Sequence, residues 1–348
     1  MGIDALAHDP GGLAGGEPVS PASERAVAAG GRLATWVLRR IALSLLTLLG
    51  VSIVVFAATQ AIPGDPAREV LGHASAAQVA AFDHLHGLDR PLISQYLHWL
   101  GKAITGSFGA SIANHTAVSS VISHRGLNTL AIVVCSAAIS IPLSLLIGTY
   151  TAVRHDRPVD HAIQTVLLVL TSLPEFVIGI VVLVLLATNV FTVLPAVAII
   201  GAGQNAFEAP KELALPVIAL VLAVLPYVAR LQRATMIDVL ESEYVQMARL
   251  KGLPERTIIR RHALRNSLVP AIQGSALTLI YLTGGVVTIE YLFAFPGLGG
   301  ALTSAVQTRD LPVIQAIVLV FAASYVAFNL LADVLTVYLS PRLRTTFR

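Results

Sequence analysis

Read along the chain, apolar and polar positions separate into long uncharged blocks divided by shorter charged ones. Bilayer hydrocarbon is about 30 Å thick, so a helix that crosses it needs about 20 mostly apolar residues. Six blocks reach that length or come close: Ile41 to Ile62, Leu127 to Val153, Ala162 to Thr188, Leu213 to Ala229, Ala271 to Ile289 and Val313 to Leu339. The third is interrupted only by Glu175, directly after Pro174. The fourth is short and carries Pro216 and Pro226, and the sixth holds Asp333 near its end. Residues 191–203 are also apolar but too short to cross alone. Pro195, with Gln204, Asn205 and Glu208 beyond, suits an interfacial segment there. The pattern predicts an all-α integral membrane protein with six transmembrane helices.

Composition agrees with that class. Of 348 residues, 55% are hydrophobic and 12% charged, roughly half the charged share of a soluble domain, and the mean hydropathy is +0.76. The single cysteine, Cys135, excludes a disulfide within the chain and a zinc site built from cysteines. Charge placement then sets a direction, because basic residues accumulate on the cytoplasmic side. With the N-terminus inside, the inner segments hold Arg25, Arg32, Arg39 and Arg40, then Arg154 and Arg157, eight Lys and Arg between Arg230 and Arg265, and Arg342, Arg344 and Arg348. Only Arg68, Arg90, Lys102, Arg125, Lys211 and Arg309 fall outside. A seventh crossing at 191–203 would expel the eight-charge segment, so the expectation is six spans with both termini cytoplasmic.

Residues 1–31 are rich in Gly, Ala, Pro and Ser and lack the basic start and cleavage site of a signal peptide. They read as a disordered cytoplasmic tail ahead of a membrane domain over 32–345. Two polar segments are large enough to have a task of their own. The extracytoplasmic one, 63–124, opens with Ile62-Pro63-Gly64-Asp65-Pro66, a turn signal at the membrane exit. Six of the ten histidines lie in it: His73, His84, His86, His98, His115 and His124. His84 and His86 are two apart and would not share a helix face, so surface histidines are the plainer reading than a metal site.

The cytoplasmic segment, 230–270, is more distinctive. Met236, Ile237, Leu240, Tyr244, Met247 and Ala248 recur at helical spacing and predict one apolar face. Glu241 and Glu243 fall with Arg249 on the other. Gly252 stops that helix, and Pro254 suits the first turn of a second one, which carries Arg256, Arg260, Arg261, His262 and Arg265. A glycine-broken helical hairpin exceeds what the charge rule requires and points to a docking element for a cytoplasmic partner.

The chemistry missing from the chain is also informative. There is no G-x-x-x-x-G-K-[ST] phosphate loop, H-E-x-x-H, G-x-S-x-G or S-x-x-K, so an enzyme or a self-powered pump is not expected. Glu175 and Asp333 are acids within apolar spans, and such residues usually face a bundle interior or a wet cavity. Each has a functional reading, lining a substrate path, and a plain one. For Glu175 the plain one is an internal hydrogen bond at the proline break; for Asp333 it is an interfacial position near Pro341 and Arg342. A free-standing secondary carrier would call for inverted repeats or a buried acid–base relay, and neither is visible.

The cytoplasmic segment resembles the ATPase-docking loop of ABC importer permeases. Glu243-Tyr244-Val245-Gln246-Met247-Ala248-Arg249-Leu250-Lys251-Gly252 and His262-Ala263-Leu264-Arg265-Asn266-Ser267-Leu268-Val269-Pro270 are similar to the two halves of that motif in the peptide/nickel branch. Four further matches lie in order: Ile62 to Pro66; Gly87-Leu88-Asp89-Arg90-Pro91 with Gly106-Ser107-Phe108-Gly109; Phe295-Pro296-Gly297-Leu298-Gly299; and Asn329 to Asp333 through Ser340-Pro341-Arg342. The resemblance covers about Leu33 to Arg344, and the extracytoplasmic segment looks like the first of the two paired permeases. It implies the permease fold in a bacterial inner membrane and no catalytic residue on this chain. It also implies a second permease, one or two ATPase subunits that carry ATP and Mg, an extracytoplasmic solute-binding protein, contact with membrane lipid, and no nucleic acid. The implied coupling residues are Glu243, Tyr244, Met247, Ala248, Lys251, Gly252, Arg260 and Pro270. Short peptides are the implied substrate, with nickel as the alternative. Two features depart from the pattern: a long N-terminal tail, and a short stretch between the third and fourth spans.

Overall fold

The computed structural model describes residues 21–61, 75–87, 89–188, 190–201 and 204–339. Among these the regular secondary structure is helical, apart from one isolated bridge pairing Ala110 with Ala117. In order, the helices are α1 (Pro21–Gln60), α2 (Ala76–His86), α3 (Leu92–Ile104), α4 (Val118–Val153), α5 (Pro158–Ser172) and α6 (Glu175–Leu183). There follow α7 (Pro210–Leu240), α8 (Glu243–Leu250), α9 (Glu255–Leu292), α10 (Leu298–Gln307) and α11 (Leu311–Leu339). Five of them (α1, α4, α7, α9 and α11) are long and apolar enough to cross a membrane. The expected third span is the correction: it is a bent pair, α5 and α6, meeting at 108°. Pro174 causes the break, since it supplies no N–H and disfavours a helical residue before it; Leu173 is accordingly extended. Six spans result if the pair counts as one. Residues 191–201, read as interfacial, form no helix and are tied by Ala198 N–H to the Phe293 carbonyl at 3.1 Å.

The N-terminal boundary also moves. Helix α1 begins at Pro21, so residues 21–31, assigned to the disordered tail, are helical, and residues 1–20 lie outside the described ones. The turn at 62–66, together with His73, lies outside them too.

Helices α4, α7 and α9 form the core, with α1 at the periphery. Leu220, Leu215, Ile132, Leu282 and Ile289 are fully buried where α4, α7 and α9 meet. In lipid, close helix contact depends on small residues that let backbones approach. Gly148 of α4 is such a point: an added Cβ would lie 2.4 Å from the Ala229 carbonyl oxygen and 2.8 Å from the Gln232 Cβ. Gly148→Leu is therefore expected to destabilise the bundle by about 1–3 kcal/mol, the usual overpacking cost. Thermal unfolding in detergent checks this, with Gly50→Leu as the neutral control because Gly50 has open space around it.

At the end of the bundle opposite α8, the start of α11 is pinned to the loop before α4. The Asp310 carboxylate accepts from the Ser111 hydroxyl and, at 3.1 Å, from the Ile112 amide. Gln315 Nε2 donates to Thr59 Oγ1 at 2.7 Å, joining α11 to α1.

Candidate functional site

The hairpin that the sequence singles out is built on an extension of a membrane helix. Helix α7 does not end at Ala229; it runs on to Leu240, so the first part of the polar segment is membrane-helix stalk rather than loop. Buried side chains hold the stalk in place. Met236 is fully buried against Ala152 of α4 and Ala263 of α9. Gln232 donates to Thr149 Oγ1 at 3.1 Å and Ser267 Oγ at 3.0 Å. Arg233 grips Asp160 of α5 through two bonds, Nε to Oδ1 at 2.8 Å and Nη2 to Oδ2 at 2.6 Å. Asp160 itself has no exposed surface, and its Oδ2 also accepts the Asp156 amide at 3.2 Å. The stalk is thereby locked to α4, α5 and α9 just before it leaves the bundle.

The apolar face expected across 236–248 is not one helix. The chain breaks at Glu241 and Ser242, and α8 starts afresh at Glu243. The break rotates the pattern: Val245 and Ala248 turn inward and pack with Ile258 and Val239. Ala248, expected on the docking face, is only 8% exposed. Tyr244, Met247 and Leu250 turn outward, at 45%, 54% and 81% exposed, alongside exposed Glu243 and Lys251. Leu250 was not among the expected docking residues. Its signal was available, since with Ala248 facing inward the i, i+3 partner of Met247 must face out.

Gly252 ends α8 with φ +74°, the left-handed region where a side chain is costly. Its amide bonds the Arg249 carbonyl at 2.9 Å, and Leu253 N–H reaches Ala248 O at 3.3 Å, so the turn closes over the alanine. Pro254 is the N-cap of α9, one position ahead of the first turn expected for it. The turn is stapled by Arg249, which pairs with Glu255 at 2.8 and 3.2 Å rather than lying with Glu241 and Glu243. Those hydrogen bonds push the Arg249 guanidinium above its ordinary pKa, so it stays charged. Asn266 Nδ2 donates to Tyr244 Oη at 2.8 Å, tying the tip to the second limb. Arg260 is exposed on π-helical turns over Ile258–Ala263, and Pro270 sits half-buried inside α9. The structure thus gathers Glu243, Tyr244, Met247, Lys251 and Gly252 at one tip. Ala248 becomes part of the seat beneath it, and Pro270 lies in the second limb.

The two intramembrane acids part ways. Asp333 pairs with Arg40 at 3.1 Å, an α1–α11 ion pair at the hairpin end, which accounts for its charge without a path. Glu175 begins α6 at the bend, accepts from Tyr281 Oη at 3.2 Å, and lines a cavity of about 590 Å³ with Thr47, Tyr281, Thr283 and Tyr325. A second cavity of about 380 Å³, lined by Thr171, Tyr227 and Thr278, shares Tyr281. A third acid, Glu290, escaped the sequence reading, which ended the fifth span one residue short of it. It is fully buried and accepts from Thr129 Oγ1 at 2.6 Å and the Gly299 amide at 2.6 Å. The Phe295-Pro296-Gly297-Leu298-Gly299 turn wraps around it so closely that a Cβ on Gly297 would sit 2.1 Å from its Oε1. That motif is a cradle which seats the N-terminus of α10. Among the described residues, no three His, Cys, Asp or Glu converge as metal ligands.

Residues 141–345 match the model of the binding-protein-dependent transport system inner membrane component, and residues 33–133 match the N-terminal domain model of such membrane components. The chain belongs to that family. It is a multi-pass inner-membrane permease of the ABC importer class. It is similar to the glutathione transport system permease protein GsiC of Escherichia coli K12, 33% identical over 314 residues, covering 89% of this chain and 98% of the relative. The proteins of the same name from Shigella dysenteriae and Salmonella typhi are 33% and 34% identical over the same spans. Family membership implies ATPase and binding-protein partners.

Proposed function

We propose that this permease imports short peptides, as one of two paired permease subunits of the peptide/nickel branch, by alternating access driven from partner ATPases. In this reading both termini and the hairpin are cytoplasmic, and ATP and Mg are held by the ATPase subunits. The observation that carries it is the exposed apolar tip of Tyr244, Met247 and Leu250 on a buried, hydrogen-bonded seat. An apolar patch in water marks an interaction surface. A stalk continuous with α7 passes movement of that surface directly into the bundle.

The peptide assignment is supported by the relatives named for glutathione, itself a tripeptide. It is also supported by the cavity beside Glu175, Tyr281 and Tyr325, where a carboxylate and hydroxyls stand against an apolar wall. Such a lining offers hydrogen bonds to peptide amide and amine groups while tolerating varied side chains. Nickel finds no comparable support among the described residues, where His84, His98, His115 and His124 form no converging ligand group.

Calorimetric titration of the partner solute-binding protein tests the substrate. Di- to pentapeptides, glutathione included, are expected to bind at least about tenfold tighter, or about 1.4 kcal/mol, than chelated nickel. The reverse order would overturn the peptide reading.

A further inference from the structure

At the end of the bundle away from the hairpin, α3 lies along the second half of α1. Tyr96 Oη is 2.9 Å from Ser52 Oγ, and the rings of Phe56, Tyr96 and Trp99 pack edge-on and tilted with centroids 5.4–6.1 Å apart. Although it packs there, none of its residues is fully buried. Leu92, Ile93, Leu97 and Ile104 are exposed. An amphipathic helix of this kind lies in the membrane interface, with its apolar face among acyl chains.

Two cavities flank it. The first, about 360 Å³, is lined by Arg90, His98, Trp99 and Lys102 together with Phe108 and Gly109. Its polar character is one-sided. The glutamines around it are engaged with one another and with the backbone: Gln60 Nε2 reaches Gln95 Oε1 at 3.3 Å, and Gln95 Nε2 reaches Arg90 O at 2.8 Å. Among the described residues no carboxylate lines it, and Asp310 is turned onto Ser111 and the Ile112 amide. The indole Nε1 of Trp99 is buried and has no acceptor among the described residues. That N–H has no surface open to the cavity, so the cations Arg90, His98 and Lys102 carry the polarity of the site, and they call for an anion. The second cavity, about 370 Å³, is almost wholly apolar and runs between α1, α3 and α11, lined by Leu45, Leu49, Leu100, Ile104 and Leu319. Phe108 lines both cavities. Along α1 the apolar cavity lies deeper, at Leu45 to Ser52, and the cationic one nearer the membrane exit, at Phe56 to Gln60.

We propose that the two cavities form one binding site for an anionic phospholipid. Its phosphate is held by Arg90, His98 and Lys102, and one acyl chain lies in the Leu45–Leu319 groove. The order of the two cavities matches the order of headgroup and tail in the leaflet on the α3 side, the outer one in the orientation proposed above. Basic pockets against membrane helices select anionic headgroups by charge, and the adjoining apolar groove distinguishes a lipid from a free anion. The assignment needs only the membrane setting, not the transported substrate.

The test uses the full-length chain, purified with whatever subunits accompany it, in nanodiscs of equal phosphatidylglycerol and phosphatidylethanolamine. Lipid retained after detergent exchange is counted by native mass spectrometry. Phosphatidylglycerol should be retained over phosphatidylethanolamine by at least about tenfold, a difference of about 1.4 kcal/mol. Arg90→Gln with Lys102→Gln, both at exposed positions, should bring that ratio to about one, the value for a site blind to charge. Leu319→Trp, which fills the groove, should lower total retained lipid. An unchanged ratio in the double variant would overturn the proposal. So would displacement of the lipid by inorganic phosphate with no effect of Leu319→Trp, which would mark a free-anion site instead.

Discussion

Gly252→Val should cut ATP-driven uptake by about tenfold or more, with the protein still inserted at its normal level. Gly252 holds φ +74°, and a side chain in that region costs about 1–2 kcal/mol, more for a β-branched one. A Cβ at Gly252 would meet nothing within 4 Å in the chain itself, so there is no internal clash to block folding. The strain falls on the turn that closes α8 over Ala248 and sets the direction in which Met247 and Leu250 point. A penalty of about 1.4 kcal/mol on the seated conformation is a tenfold change in its equilibrium constant against unseated ones. Gly252→Ala should fall between the two. Uptake and ATPase rates measured in parallel in proteoliposomes check this: ATP hydrolysis should persist while uptake falls. Unchanged uptake in Gly252→Val would remove the hairpin from the coupling path.

Removing Arg233 should produce the largest loss of stability of any single change in the stalk. Asp160 has no exposed surface and takes both of its side-chain hydrogen bonds from this one guanidinium, with the Asp156 amide as its other donor. Breaking a buried pair from one side leaves an uncompensated charge, at a cost of about 3–5 kcal/mol. The two directions are not symmetric. Arg233→Ala strands Asp160 inside the bundle, whereas Asp160→Ala strands Arg233, whose side chain is still 21% exposed and can extend to water. Arg233→Ala should therefore unfold well before Asp160→Ala in a thermal scan in detergent. The double change Asp160→Leu with Arg233→Met should recover most of the loss. Equal midpoints for the two single variants would contradict the asymmetry.

The spans were legible because a membrane helix needs an uncharged block, and that block is visible in one dimension. The bend between α5 and α6 was not: Pro174 announces a break, but its angle of 108° is set by how α6 packs on α7 and α9. The hairpin itself was read correctly as helix, glycine turn, helix. Its facing was not, because two residues of turn at Glu241 and Ser242 interrupt a periodicity that looks continuous in sequence, and the rotation sends Ala248 inward. The eight basic residues of that segment counted equally for topology, yet Arg233 alone meets a buried partner, Asp160, 73 positions earlier in the chain. No local pattern reports such a pairing. Glu290 was missed for a similar reason: its partners Thr129 and Gly299 arrive from a different helix and a later turn. The motif Phe295 to Gly299 is legible in the sequence, but the carboxylate that it encloses is not.

The central claim is that the tip of α8 is where an ATPase docks. A photo-crosslinking amino acid placed at Leu250, the most exposed apolar residue of the tip, tests this in native membranes without involving Cys135. Illumination followed by mass spectrometry should yield one dominant adduct to an ATP-binding-cassette subunit, reduced when Gly252→Val is introduced. Adducts only to lipid, or to no nucleotide-binding protein at all, would contradict the docking account and return the hairpin to a feature of topology alone.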